Sequence, residues 1–435
     1  MHQITGSDLE QPCSQARPDR PPQSAPDRSP LPYSQTPSLG HIDSNQVVVL
    51  LLYLTASTAF LAFPALVMTR AGSAGWLSMA LSAGLGYIAL WGWIRWSETT
   101  ASKGFVPALR ETLGRFFGDF VGFLVFSYLL SSTGLLARVF SGGTIIGLLP
   151  EVPIEILQGT LIVVSAFGAW LGLEPVARTG VVLAPVVTVS LSVVLLASYR
   201  LVDFRHVFPL WGLGPLPVLK QGLRGAGIFA NVSALVILKA YMRNPRLLRA
   251  AGMWGMSLGA FFMVITTLVV AAAFPYPEST RQLFPLGVLA RSIMLGKFLQ
   301  RLEALFSFSW FFSIAVNLAI AYVLSLIVFS QLSDSQTVRP YVFPVSSFTF
   351  GLGLLPPSLV HAVSWLDAIY SWAGNSVLWL GWALYFISRV RYGNRSGRTG
   401  TGGDTVRRRE GNGPGDRANR SKGVVPGGAT GGDGS

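Results

Sequence analysis

The sequence has few charged residues and one cysteine. Only 12% of its 435 residues are charged, against about 25% in soluble domains, which excludes an ordinary soluble protein. Cys13 alone can form neither an internal disulfide nor a cysteine-based metal cluster. The four histidines are scattered, and no nucleophile or metal-ligand spacing accompanies them. The sequence therefore predicts no enzyme, no metal site and no bound cofactor.

Apolar residues are abundant instead, at 51% of the chain, and the mean hydropathy is +0.49. A transmembrane helix needs about 20 apolar residues, which predicts an all-α polytopic membrane protein with about ten transmembrane helices. The predicted spans are residues 47–67, 75–93, 120–149, 156–172, 181–197, 216–242, 252–274, 302–329, 341–355 and 363–387.

Both ends of the chain differ from this middle. Residues 1–41 are rich in proline and have no apolar run, which predicts a disordered tail and not a cleavable signal peptide. Residues 391–435 are rich in glycine and arginine and are also predicted to be disordered. Such a basic tail binds either nucleic acid or anionic lipid, and beside ten spans it favours membrane lipid and no nucleic acid. The transmembrane domain is residues 42–390.

Arginine and lysine are more frequent in the loops on the side of the two tails. Because an even number of spans puts both tails on one side, the positive-inside rule predicts that both termini are cytoplasmic. The protein is then a multi-pass membrane protein.

Two spans have a polar or glycine-rich middle. The sixth contains three glycines before Phe229, Asn231 and Ser233, and the first contains Thr55, Ser57 and Thr58. Helices loosen at membrane depth only where they are buried in protein or line a cavity. Ten spans with a first and a sixth interrupted helix predict a permease-like 5+5 inverted repeat. For the first span, hydroxyls bonded to their own backbone and a kink at a proline are the alternative.

The segment 275–300 has leucines and an isoleucine at helical spacing. It is predicted to form an amphipathic helix over the outer mouth. Its role is either that of a lid or that of a passive interfacial helix.

Several stretches resemble one family. They are IDSNQ at 42–46, LLARVF around Arg138 followed by LLPEVPIEI, GLEPVARTG at 172–180, the segment 201–223 and FPLGVLARSIMLGKFLQRLEALFSFSWFFS at 284–313. In order and spacing they resemble the spore germination proteins of the B-subunit type (GerAB-like), a branch of the amino acid/polyamine/organocation permease superfamily. This family often has an acidic residue near the position of Asn231.

The resemblance implies a membrane subunit of a nutrient-germinant receptor in the inner spore membrane, assembled with an A-type subunit and a lipoprotein C-type subunit. It also implies a small nutrient ligand, commonly an amino acid. A transporter of an amino acid or polyamine that works by alternating access is the alternative, and part of an ion-conducting path is a third.

A zwitterionic amino acid in a low-dielectric cavity needs donors for its carboxylate and acceptors for its ammonium. Polar and aromatic groups of the first, third, sixth and eighth spans could supply them, although a single serine is more often a packing residue. The candidate ligand-binding residues are Thr55, Ser57, Thr58, Phe63, Tyr128, Ser131, Ser132, Phe229, Asn231, Ser233, Ser307 and Ser309, with Asn317 as a further candidate.

Charged residues inside spans are few. Arg138 is either a snorkelling arginine or a clamp for a ligand carboxylate. Glu174 and Arg178 are spaced as a pair, structural or in contact with a partner, with a gate as the alternative; Arg301 and Glu303 open the eighth span. No acidic residue lies clearly at mid-membrane, Asp367 being a possible exception, which argues against a proton symporter.

Overall fold

The computed structural model describes residues 39–102, 104–147, 149–293 and 302–399. Arg301 and most of both predicted tails lie outside these ranges, so the tails remain predictions. The helices are α1 Ser44–Ala56, α2 Phe63–Ala71, α3 Gly75–Thr99, α4 Phe105–Leu113, α5 Arg115–Gly147, α6 Ile154–Leu171, α7 Leu173–Ala197, α8 Pro215–Gly225, α9 Ala234–Lys239, α10 Leu248–Ala273, α11 Glu278–Arg281, α12 Pro285–Ser292, α13 Leu302–Leu332, α14 Arg339–Leu354, α15 Leu359–Ile369 and α16 Asn375–Thr399.

The IDSNQ stretch starts the first helix. Asp43 is the N-cap, and its backbone N–H donates a 2.8 Å hydrogen bond to the Gln46 side chain, as in a capping box. Just before it, Ile42 forms an isolated bridge with Met242 beyond α9. The start of the first span is thus fastened to the end of the sixth.

The prediction of interrupted first and sixth spans is confirmed. Between α1 and α2 the chain forms a short 3₁₀ turn, Ser57–Phe60, followed by Leu61 with extended backbone. Between α8 and α9 it forms the eight-residue 3₁₀ segment Ala226–Ser233. Both interruptions are buried throughout, as non-α backbone at membrane depth requires.

Seven continuous helical runs of the described chain are long and apolar enough to cross a membrane, and a bent pair makes an eighth. The bent pair, α14 with α15–α16, turns by 116° and corresponds to the predicted ninth and tenth spans. One run, Phe63–Thr99, holds α2 and α3, which Gly72 separates at φ +66° and which pack on each other. Its first part therefore completes the first span.

The interrupted spans lie inside the bundle. The sixth span is 89% buried and the eighth 83%, whereas α6 and α7 are each 39% buried and face outward.

Helix α1 packs most extensively on α10. Gly255 and Gly259 allow this close approach, because a Cβ at Gly255 would lie 2.7 Å from Leu51 and one at Gly259 2.6 Å from Thr55.

The predicted helix over the outer mouth is present but short. Residues 275–293 form α11 and α12, and residues 294–301 lie outside the described chain. Leu286 and Leu289 are buried, and α12 packs on α10 and α13. The apolar face of this helix therefore rests on the bundle.

Candidate functional site

The first interruption is held from two sides by polar contacts. Asn317 of α13 donates a 2.6 Å hydrogen bond to the Ser57 hydroxyl, which donates to its own backbone at Tyr53. The Thr58 hydroxyl donates to the Thr55 carbonyl at 2.7 Å. The hydroxyls of Ser57 and Thr58 therefore bond to main-chain carbonyls of their own span, which was the alternative to an interruption. The span has both features.

The second interruption is joined to the first. The side-chain amide of Asn231 donates a 2.7 Å hydrogen bond to the Leu54 carbonyl. The Ser233 hydroxyl is fully buried and has no partner among the described residues. Phe229 lies on the other side of the segment, where a Cβ at Gly86 of α3 would be 2.9 Å from its Cβ. Asn231 and Ser233 are therefore better placed than Phe229 to face the first interruption.

Aromatic residues of three spans meet beside the interruptions. The Phe63 ring contacts the Tyr370 ring edge to face, with centroids 5.3 Å apart. Helix α5 packs on the turn that holds Tyr370, and the buried hydroxyl of Tyr128 of α5 has no partner among the described residues. Its neighbour Ser131 is half-buried, and Ser132 donates to the Leu129 carbonyl at 3.0 Å. Of the buried α5 candidates Tyr128 and Ser132, Tyr128 is therefore the one whose hydroxyl has no hydrogen-bond partner in the described chain.

A π-helical turn in the tenth span, Tyr370–Gly374, packs on the second interruption backbone to backbone. A Cβ at Gly227 would lie 1.9 Å from the Tyr370 carbonyl. Asn375 donates to the Arg224 carbonyl at 3.0 Å. Such turns are frequent at functional sites, but the sequence carries no pattern that would have predicted this one.

Three charged groups form a network at the end of the first span and beside the second interruption, where Arg224 lies in the last turn of α8 and also donates to Ser371 of the π-helical turn at 2.9 Å. Arg70 of α2 binds Asp367 of α15 through two hydrogen bonds of 3.0 and 2.7 Å, and Arg224 of α8 adds a third of 2.8 Å. Asp367 is only 9% exposed. From the sequence alone, Asp367 is named without a partner, and no role is assigned to Arg70 or Arg224.

The opposite end is closed by the segment that precedes α1. The Ile42 N–H donates to the Tyr241 carbonyl at 2.8 Å, and the Arg243 N–H donates to the Ile42 carbonyl at 3.0 Å. Glu174 pairs with Arg178, and a Cβ at Gly40 would overlap the Glu174 carboxylate at 2.5 Å. Glu174 and Arg178 therefore form a pair beside this segment, and whether its role is structural, a partner contact or a gate stays a prediction.

The remaining candidates bond other groups or line other cavities, although Val187, the partner of Ser309, shares a small cavity with Phe60 of the first interruption. Ser309 donates to the Val187 carbonyl of α7 at 3.4 Å, and Ser307 lines a separate cavity of about 150 Å³ beneath α12. Glu303 lies in the first turn of α13. Arg138 is 8% exposed, so it does not snorkel; it donates to the Pro356 carbonyl at 3.4 Å, while Nε and Nη1 have no partner in the described chain.

Around the interruptions the described side chains offer hydroxyls, amides, backbone groups and aromatic rings. The network of Arg70, Asp367 and Arg224 lies directly before the second interruption, and no group of three metal-binding side chains occurs in the described ranges. Such an arrangement can bind a small polar molecule by hydrogen bonds and enclose it between two closed ends. It is typical of polytopic, permease-like membrane proteins, in which interrupted helices frame the binding site.

Residues 41–351 match the family model described as "Spore germination protein", and the chain belongs to this family. Three relatives come from Bacillus subtilis (strain 168). Spore germination protein YndE is 23% identical over 72% of this chain and 85% of its own. Protein KB is 21% identical over 75% and 86%, and protein A2 is 23% identical over 58% and 69%.

The fold is also similar to that of a solved structure, MhsT in complex with L-phenylalanine. The TM-score is 0.62 at 15% identity, and the similarity covers 80% of this chain and 89% of MhsT. At this identity the likeness shows the fold alone. It confirms the permease-like architecture predicted from the two interrupted spans.

Proposed function

We propose that this protein is the membrane subunit of a spore germinant receptor that binds a small nutrient, in the first instance an amino acid, and triggers germination. The observation that carries the proposal is the hydrogen bond from Asn231 to the Leu54 carbonyl, which puts the two interruptions side by side in a chain of the spore germination family.

The chemistry of an amino acid fits the groups at hand. Its carboxylate would bind backbone N–H groups and the hydroxyls of Ser57 and Thr58 at the first interruption, with the positive end of the α2 dipole assisting. Its ammonium would bind carbonyls around Asn231, and Ser233 and Tyr128 offer buried hydroxyls without other partners.

The setting follows from the family and the charge distribution. The protein would lie in the inner spore membrane with both termini cytoplasmic, and it would act with an A-type and a lipoprotein C-type subunit. Binding would shift the bundle between two states that differ at the Arg70–Asp367 pair and at the Ile42 segment, and the partner subunits would respond to that shift.

Transport by alternating access is the second candidate. The similarity to the fold of MhsT favours it, and so do the polar closures at both ends of the bundle. A receptor and a transporter can share this fold, and the fold does not decide between them.

Two measurements separate the candidates. Spores that lack this gene are tested against a panel of amino acids, and vesicles that contain only this subunit are tested for uptake of the same labelled compounds. The receptor is supported by loss of the response to one nutrient class without uptake. Saturable accumulation in the vesicles would favour the transporter, and an unchanged germination response would overturn the receptor.

A further inference from the structure

A groove runs along the outward face of the bundle between α6 and α14. Its volume is about 680 Å³, and its walls are almost entirely apolar, with Val163, Phe167, Phe343 and Phe350 among them. Phe343 is 79% exposed and Val163 67% exposed. Helix α6 is long and apolar enough to cross a membrane, and α14 is the first part of the bent pair, so on the predicted topology the groove opens toward the acyl chains of the bilayer.

One end of the groove is polar and positively charged. The Arg339 guanidinium lies 5.4 Å from the centre of the Trp170 ring, where a cation–π contact holds it. Both residues also line a second, more polar cavity of about 190 Å³, together with Gln336 and Thr337. No acidic side chain is among the described residues that line either cavity. The two cavities therefore join an apolar groove to a site with an uncompensated positive charge.

The length of the groove indicates its occupant. It extends from Arg339 to Phe350 along α14, which is about 17 Å at 1.5 Å per residue. Half of the hydrocarbon core is about 15 Å thick. At its far end Gln158 donates a 3.0 Å hydrogen bond to the Phe350 carbonyl and ties the two helices together. A transmembrane helix of a partner protein would need a contact surface that extends through both leaflets. An acyl chain needs a groove through one leaflet only.

We propose that the groove between α6 and α14 is a binding site for an anionic phospholipid, with an acyl chain along Phe343 and Phe167 and the phosphate at Arg339. The lipid belongs to the leaflet on the side of Leu39, which lines the polar cavity. The site is separate from the interrupted helices, so the inference does not depend on the nutrient or on the direction of signalling.

The first test measures lipid binding to the purified full-length protein by native mass spectrometry. Phosphatidylglycerol and phosphatidylcholine with the same acyl chains are titrated separately. One arginine at a membrane surface is worth about 1 kcal/mol toward an anionic lipid, so we expect about a fivefold preference for phosphatidylglycerol. Arg339→Gln should abolish this preference while the apolar stem of the side chain is largely kept.

Two further variants separate the site from general lipid contact. Gly159→Leu adds bulk in the groove, where a Cβ meets Phe350 at an unstrained 3.6 Å, and should weaken both lipids equally. Arg249→Gln is the matched control, because Arg249 also lies over a tryptophan ring, that of Trp91 at 4.5 Å, but outside the groove. Equal losses in Arg339→Gln and Arg249→Gln, or no preference in the unaltered protein, would overturn the proposal.

The second test identifies the occupant directly in cell membranes. A photoreactive benzoylphenylalanine replaces Phe343, and the adducts formed on irradiation are analysed by mass. An adduct with a glycerophospholipid supports the proposal. An adduct with another polypeptide as the main product would show a protein interface instead and would contradict it.

Discussion

Asn231 donates a 2.7 Å hydrogen bond to the main-chain carbonyl of Leu54, two residues before the end of α1. The two positions are 177 residues apart in the chain. A carbonyl near an interruption loses helical partners, so a side-chain donor from the second interruption satisfies it in a buried place. The same contact makes the two interruptions move together, which a binding site shared between them requires.

Replacement of Asn231 by leucine keeps the bulk and removes the donor. The Leu54 carbonyl then stays buried without this partner, at a cost of about 1–3 kcal/mol. We expect a lower unfolding temperature of the purified protein and a germination response that needs at least about fivefold more nutrient. Asn231→Asp is the informative companion, because its carboxylate keeps the shape but cannot donate. An unchanged dose response in Asn231→Leu would remove this residue from the site.

The hydrogen bond from Asn317 to Ser57 predicts coupling between α13 and the first interruption. Ser57→Ala, Asn317→Leu and the double variant form a cycle whose interaction term is expected to be about 1 kcal/mol, since each single change removes the same 2.6 Å bond. Unfolding of the purified protein measures the term. Thr349→Val is the control, because that hydroxyl bonds only within α14, to the Val345 carbonyl. Additive effects of Ser57→Ala and Asn317→Leu would contradict the prediction.

The interruptions themselves could be predicted from the sequence. Glycines and small polar residues weaken a helix locally, so the cluster from Gly222 to Ser233 marks the segment that becomes 3₁₀. The partner of Asn231 could not be predicted, because every residue has a main-chain carbonyl and nothing in the sequence distinguishes that of Leu54. For the same reason the hydroxyl candidates could be named as a group but not sorted into packing residues and ligand contacts.

The ion network formed by three charged side chains shows a second limit of prediction from the sequence. Arg70, Arg224 and Asp367 come from three spans, and the aspartate lies 297 and 143 positions from its two partners. Taken alone, each residue is consistent with a position near the end of a span, where its side chain extends toward water. Only the packing of α2, α8 and α15 brings them within 3.0 Å of one another and makes them one ion network.

Asp367→Asn should loosen the contact between α2, α8 and α15. The change removes the negative charge that both Arg70 and Arg224 bind, and the two guanidinium groups then repel each other. A shift of about 1.4 kcal/mol in the closed state would raise the open population about tenfold. Cys13 is the one cysteine of the sequence. In a Cys13→Ser background, a membrane-impermeant maleimide therefore reacts only with the cysteine introduced by Ser233→Cys.

We expect Ser233→Cys to react several-fold faster when Asp367→Asn is present. Glu278→Gln is the control, since Glu278 forms an exposed pair with Arg281 at 3.8 Å and should leave the rate unchanged. Equal rates with and without Asp367→Asn would show that the ion network does not close the path to the interruptions.

Arg138 has a buried guanidinium with two donor nitrogens that lack partners in the described chain. An uncompensated buried charge is unfavourable, so Arg138→Met should leave the unfolding temperature equal or higher. If the guanidinium binds the carboxylate of the nutrient, the germination response should be lost in Arg138→Met and partly retained in Arg138→Lys. Normal germination in the methionine variant would assign Arg138 to helix packing at the Pro356 carbonyl.

Gly227 is the position where the second interruption and the π-helical turn meet most closely. Gly227→Ala would place a Cβ 1.9 Å from the Tyr370 carbonyl and 2.8 Å from the Asn375 nitrogen, both main-chain atoms that cannot rotate away. The segments must then separate, so we expect loss of germination, together with a lower unfolding temperature. Gly84→Ala is the matched control, because nothing lies within 4 Å of a Cβ there, and it should be neutral or stabilising by up to about 1 kcal/mol. Germination by Gly227→Ala at the normal nutrient concentration would show that the contact with the tenth span can loosen without loss of function.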